Sequence, residues 1–140
     1  FDVLQLRIRM PILSKKNPRN LIDKIAKYSH VINEANSVTV VDDMLQAMQV
    51  LIEQRVIGIM NVVNPWTLYW HDMLALYKEI IDPRHTFTPV SMEELTKKIT
   101  SSGRTSCMLN GDKLAQYITL DPVGERIKEI IQIYKNNMLP

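Results

Sequence analysis

Apolar positions along the chain recur with two different periods, and each change of period marks a boundary between a strand and a helix. From Val3 to Met10 the strand formers Val3 and Ile8, with Leu4 and Leu6, predict a first strand. Pro11 has no N–H to donate and is expected to end its ladder. Leu21, Ile22, Ile25 and Ala26 share one face of a helix running from about Arg19 to Tyr28. The stretch from Val31 to Val41 reads as strand, broken by the polar residues between Asn33 and Ser37. Asp42 or Asp43 is placed to cap a second helix, on which Met44, Leu45, Met48, Leu51 and Ile52 recur at helical spacing.

Gly58 punctuates the chain, and Ile59 to Val63 forms a short buried strand stopped by Asn64-Pro65. A third helix starts at Thr67 or Tyr69 and carries Met73, Leu74, Leu76, Tyr77, Ile80 and Ile81 as far as Asp82-Pro83. Thr86 to Val90 is a short extended segment. Ser91-Met92-Glu93-Glu94 is a capping box opening a fourth helix: serine oxygen and glutamate each satisfy a free amide. Ser101 to Thr105 is a loop around Gly103, Met108-Leu109 is extended, and Asp112 to Tyr117 is a short helix. The last helix, Gly124 to Met138, turns Ile127, Ile130, Ile131 and Tyr134 inward.

Alternation of strand and helix with short connections indicates an α/β fold of few short strands with about five helices. A chain of 140 residues, 46% of them apolar, builds one core, so residues 1–140 are read as a single unit. A net charge of +2, with acids interspersed among the bases, argues against a nucleic-acid partner. One cysteine, Cys107, excludes an internal disulfide and fits a reducing compartment. His30, His71 and His85 lack metal-ligand spacing, and no apolar run has the length of a membrane span. The expectation is a cytoplasmic protein with no metal. The one locally basic stretch is Lys15-Lys16 with Arg19, Lys24 and Lys27: a solvated helix start, or a patch that meets an anion such as a diphosphate. His71-Asp72 resembles a catalytic pair, but neighbours one apart on a helix do not face each other, so both are read as surface residues.

Several stretches resemble one family in order and spacing. They are Leu6-Arg7-Ile8-Arg9-Met10-Pro11-Ile12, Asn17-Pro18-Arg19-Asn20, Asn36-Ser37-Val38-Thr39-Val40-Val41-Asp42, Gly58-Ile59-Met60-Asn61-Val62-Val63-Asn64-Pro65 and Asp112-Lys113-Leu114. The family is that of the bifunctional nucleotide-rhamnose synthases, 3,5-epimerase/4-reductases related to dTDP-4-dehydrorhamnose reductase in the extended short-chain dehydrogenase superfamily. The resemblance implies the C-terminal, substrate-binding portion of a Rossmann-like fold. It places the dinucleotide-binding half, with its glycine-rich loop and Tyr-x-x-x-Lys pair, outside this sequence. NADPH or NADH is then the implied cofactor, held mainly by that N-terminal half. The implied partners are a nucleotide-sugar, the protein's own N-terminal half and further copies in a homo-oligomer. An isolated piece is expected to be inactive and to expose apolar strand edges.

The resemblance also implies residue roles. Lys24 matches a lysine serving the epimerase step as acid or enolate stabiliser, and can equally be a solvated helix lysine. Arg19 and Asn20 match a motif close to sugar and phosphates, though Asn20 alone would also serve as a helix cap. Arg104 matches an arginine gripping the diphosphate, but relatives continue Arg-Ser-Asn-Asn-Glu where this chain has Arg104-Thr105-Ser106-Cys107-Met108. Asn36, Val38 and Thr39 match a segment lining the nucleotide side of the pocket, or form a polar strand edge. Arg9 and Met10 follow the strand that passes the nicotinamide, and Arg9 can equally be a surface residue. Trp66 stands where relatives carry glycine; with Trp70 it is read as packing, or, if exposed, as a surface on which a base stacks. Two other readings stay open: a plain 4-ketoreductase without epimerase activity, and a non-catalytic regulatory or assembly module.

Overall fold

The computed structural model describes residues 2–98 and 106–138. Its strands form four two-stranded pairs rather than one sheet. β1 (Leu4–Arg7) runs parallel to β6 (Gly58–Asn61), with Leu4 opposite Gly58 and Arg7 opposite Asn61. β2 (Pro11–Ile12) is parallel to β5 (Thr39–Val40), and β3 (His30–Ile32) is parallel to β8 (Thr88–Val90). β4 (Ala35–Asn36) pairs antiparallel with β7 (Leu68–Tyr69). The helices are α1 (Leu21–Ile25), α2 (Val41–Glu53), α3 (Trp70–Ile80), α4 (Met92–Lys98), α5 (Asp112–Ala115) and α6 (Val123–Asn136). This is the α/β class that the alternation indicates. None of the helices among the described residues is long and apolar enough to cross a membrane.

Two boundaries differ from expectation for identifiable reasons. The first strand stops at Arg7 because Met10 adopts φ 44°, a left-handed conformation incompatible with a continuing strand. Pro11 therefore does not end a ladder. It begins a new one with β5, at the first-residue position where a missing N–H costs least. Neither Asp42 nor Asp43 caps α2: its N-cap is Val40, which makes no side-chain cap bond, and Asp43 is buried for another purpose. The capping box before α4 is present, with Glu94 N–H donating to Ser91 Oγ (3.2 Å) and Ser91 N–H donating to Glu94 Oε2 (3.0 Å).

Two apolar clusters lie beneath these elements. The larger joins α1, α3 and α6 through Ile22, Met73, Leu74, Ile127, Ile130 and Tyr134. The smaller sits under β1 and β6, where Ala47, Leu51, Met60, Val62, Leu114 and Leu120 meet. Each buried aliphatic side chain contributes roughly 1.5–3 kcal/mol relative to exposure. Apolar residues also remain outside: Val3, Ile8, Ile57 and Ile59 flank the β1–β6 pair in solvent, and Leu45 and Ile52 do so on α2. The edge of β1 away from β6 pairs with no strand among the described residues.

A polar network ties the smaller cluster to the larger. Asn64 accepts the Val40 N–H through Oδ1 (2.8 Å) and donates through Nδ2 to Asp43 and to the Asp121 carbonyl. Arg126 grips Asp43 with both Nε (3.1 Å) and Nη2 (2.9 Å) and also pairs with Glu129. Burial disfavours the Arg126 charge, but the Asp43 and Glu129 carboxylates outweigh it and raise its pKa above the ordinary arginine value. Replacing Asp43 by alanine leaves the half-buried Arg126 guanidinium with Glu129 alone and removes the acceptor of the Asn64 amide. Urea unfolding is expected to show a loss of about 1–3 kcal/mol at unchanged m-value.

On the far side of the larger cluster, Tyr134 donates its hydroxyl to Asp23 Oδ1 (2.7 Å). Burial, then the Asp23 hydrogen bond and charge, raise the Tyr134 pKa well above its ordinary value of 10.0. Tyr77 shifts the same way, through burial and then the charges of Asp82 and Asp23. Folding thus favours the protonated phenol, so this contribution is complete below pH 10 and declines as pH rises beyond it. A Tyr134→Phe variant is expected to lose stability at pH 8 yet show a shallower decline above pH 10, measured by urea unfolding across pH.

Candidate functional site

The carboxyl ends of parallel strands are where α/β folds assemble ligand sites, and the residues after β1 converge there on β4 and β5. Arg9 donates its backbone N–H to Thr39 Oγ1 (3.0 Å) and its Nη2 to Asn36 Oδ1 (3.2 Å). Thr39 donates its own hydroxyl to the Val62 carbonyl (2.6 Å), so one hydroxyl joins the segments after β1 and β6. Asn36 Oδ1 also accepts the Cys107 N–H (3.4 Å), and Asn36 Nδ2 donates to the Glu34 carbonyl. Asn36, Val38 and Thr39 are all buried, whereas Arg9 and Met10 are half-buried. Arg9 Nε is enclosed without a hydrogen-bond partner. Three of the sequence-predicted residues, Arg9, Asn36 and Thr39, are thus joined by hydrogen bonds, whereas Val38 lies in the larger apolar core and Met10 packs against it.

A second group lies on α1. Asn20 is buried, and its amide is fully committed: Oδ1 accepts the Leu13 N–H, while Nδ2 donates to the carbonyls of Leu13 and Lys15. It stands at the N-cap position but makes no side-chain cap bond, so it staples the 13–20 loop rather than capping the helix. Arg19 is exposed, its N–H held by Asn17 Oδ1 in a tight turn (2.9 Å). Lys24 is exposed on α1, and its amine meets no partner among the described residues. The loop from Leu13 connects this group to β2, whose Pro11 lies opposite Thr39. Arg104 lies outside the described residues.

Behind the 36–40 segment, a cleft of about 400 Å³ opens between the Val63–Thr67 turn, residues 108–112 and residues 118–120. Of the described residues singled out from the sequence as catalytic, substrate or cofactor contacts, none lines it. Ser37 holds its wall in place, its Oγ accepting the Leu109 N–H (2.9 Å) while its own N–H donates to the Cys107 carbonyl (3.2 Å). Trp66 lines the cleft and is exposed, whereas Trp70 is buried in the core as expected for packing.

His71 and Asp72 do face each other, at 3.2 Å between Nε2 and Oδ1, contrary to the helical-spacing argument. Both sit in the first turn of α3, where no preceding turn restricts their side chains. The sequence reading missed Asp43, Asn64 and Arg126, although an Asn-Pro directly after an apolar strand was the available signal for Asn64. No group of three or more His, Cys, Asp or Glu side chains among the described residues can hold a metal. The enclosed Nε of Arg9 beside the end of β1 fits one wall of a site for a polar ligand, dinucleotides included.

No family model matches the chain. The crystal structure of a UDP-rhamnose synthase from Acanthamoeba polyphaga mimivirus superposes with a TM-score of 0.84 at 34% identity, covering 94% of this chain and 46% of that one. A bifunctional dTDP-4-dehydrorhamnose 3,5-epimerase/dTDP-4-dehydrorhamnose reductase of Arabidopsis thaliana is 37% identical over 114 residues, which is 81% of this chain and 38% of that protein. The dTDP-4-dehydrorhamnose reductase of Bacillus anthracis, solved with NADP, shares the fold at 18% identity and a TM-score of 0.69, covering 91% of this chain and 47% of that one. The chain spans less than half the length of the curated relatives it matches. Over most of its length it is thus homologous to less than half of these UDP-rhamnose synthase and dTDP-4-dehydrorhamnose epimerase/reductase proteins.

Proposed function

We propose that this chain is the substrate-binding, C-terminal half of an NADPH- or NADH-dependent enzyme. That enzyme epimerises C3 and C5 and reduces C4 of a nucleotide-linked 4-keto-6-deoxyglucose, giving nucleotide-L-rhamnose. The observation that carries the reading is the likeness to the mimivirus UDP-rhamnose synthase, which covers 94% of this chain. In the substrate, the C4 ketone acidifies the hydrogens on C3 and C5, so inversion at both centres proceeds through enolates. Lys24, exposed on α1 and without a side-chain partner among the described residues, is the group proposed to donate a proton or hold the enolate oxygen. Arg19, on the turn that Asn20 staples, and Arg104 bind the diphosphate. Asn36, Val38 and Thr39 form the wall on the nucleotide side. Arg9 and Met10 complete the nicotinamide side, and the nicotinamide when bound supplies the hydride that C4 receives.

The protein's own N-terminal half is the proposed partner at the open edge of β1, where Val3, Ile8 and Ile59 lie exposed. A homo-oligomer is proposed for the assembled enzyme, and the cytoplasm as its compartment. In the full-length enzyme, Lys24→Ala is expected to slow epimerisation by about 10²–10⁴-fold while leaving reduction of an already epimerised 4-keto sugar within a few fold. Proton exchange at C3 and C5, followed by NMR in heavy water, measures the first step separately. Undiminished exchange would transfer the epimerase role elsewhere and leave a plain 4-ketoreductase as the better reading.

A further inference from the structure

The basic stretch around α1 contains an acid whose charge does not explain its place. Asp23 shares that stretch with Lys15, Lys16, Arg19, Lys24 and Lys27, where a carboxylate lowers the attraction for an anion. Yet Asp23 forms no ion pair with any of these cations among the described residues. Both of its oxygens serve neutral donors instead. Oδ2 accepts the Asn17 N–H (3.1 Å), and Oδ1 accepts the Tyr134 hydroxyl (2.7 Å).

Followed outward, these bonds run from the core to Arg19. Tyr134 is 2% exposed and belongs to the larger apolar cluster. Its hydroxyl holds Asp23, and Asp23 holds the Asn17 N–H. Asn17 in turn accepts the Arg19 N–H through Oδ1 (2.9 Å) and the Asn20 N–H through its carbonyl (2.8 Å). Just beyond α6, Asn137 adds a second tie, its Nδ2 donating to the Ser14 carbonyl (2.9 Å). Pro18 restricts the backbone between Asn17 and Arg19 further. A long exposed side chain loses freedom when it grips a ligand, and a turn ordered beforehand removes part of that cost.

We propose that Asp23 is a positioning residue for anion recognition: it sets the Arg19 turn against α6, so that Arg19 and Lys24 meet a diphosphate-bearing ligand from a fixed arrangement. The inference rests on the nucleotide-sugar reading above and adds a residue that acts on the ligand only through the backbone around Arg19. Charge and position predict opposite signs. Removing the Asp23 charge tightens anion binding if only the local field matters, and weakens it if the turn must be held.

The test is calorimetric titration of the full-length protein with UDP, under conditions where urea curves show every variant folded. The variants are Asp23→Ala, Asp23→Asn, Arg19→Ala and the double variant Arg19→Ala with Asp23→Ala. Asp23→Ala is expected to weaken UDP about tenfold. Asp23→Asn is expected to stay within a few fold, because an amide oxygen still accepts from Asn17 while its NH2 donates to the Tyr134 oxygen. With Arg19 already replaced, Asp23→Ala is expected to add less than about twofold, whereas a role in stability alone lowers affinity equally in both backgrounds. Equal or tighter UDP binding by Asp23→Ala overturns the proposal, as does a loss in Asp23→Asn as large as in alanine, or an equal loss in both Arg19 backgrounds. Each of these leaves the nucleotide-sugar reading standing. A wild type that binds no UDP, or an Arg19→Ala variant that binds it undiminished, overturns the diphosphate assignment and the proposal with it.

Discussion

The bidentate pairing of Arg126 with Asp43, and the amide of Asn64 set against that carboxylate, fix more of this molecule than any apolar contact does. Desolvating two charges costs nearly what their attraction returns, so such a pair adds little net stability, but removing one partner is severe. Its consequence here is positional. Asn64 holds Val40 at the end of β5, Asp43 lies in the first turn of α2, and Arg126 lies in the first turns of α6. Because the Asn64 N–H also donates to the Val38 carbonyl, the 38–40 segment is held by both ends of one residue. Thr39 lies between those two anchors, and Arg9 and Asn36 are oriented from it. The cleft behind the segment takes its wall from Ser37 and Asn64. Both faces of the segment therefore depend on one buried network.

A second constraint comes from the sheet. A two-stranded parallel pair is marginal in water, and β1–β6 buries one face against α2 and α5 while the other keeps Ile59 exposed. With an unpaired edge and apolar neighbours, β1 has the character of an interior strand rather than an edge protected by charge or proline. The proposed second half accounts for that character, since relatives matched by this chain are more than twice its length.

Much of the fold was legible because hydrophobic spacing reports burial directly. Ile127, Ile130, Ile131 and Tyr134 are buried on α6 as their spacing requires, and the Ser91–Glu94 capping box forms as written. What the spacing could not carry was backbone geometry at single residues. The left-handed turn at Met10 splits one expected strand into two, and nothing about a methionine announces it. The role of Asp43 was equally hidden: an acid at a helix start reads as a cap, and its real partner is 83 residues away on α6. Within the candidate site, sequence order brought out Arg9, Asn36 and Thr39, which the fold does bring together. The cleft was not legible, because its walls come from three separate segments with no shared motif. At Trp66, the backbone takes φ +67°, a conformation that favours glycine, and nothing about a tryptophan announces it.

The most direct test is to supply the full-length protein with UDP-4-keto-6-deoxyglucose and NADPH and to identify the sugar product by NMR. Accumulation of nucleotide-L-rhamnose, from this substrate or from its dTDP-linked counterpart, with inverted configuration at C3 and C5, is the predicted outcome. A substrate recovered unchanged at all three carbons, under conditions where the protein is folded, would contradict the account.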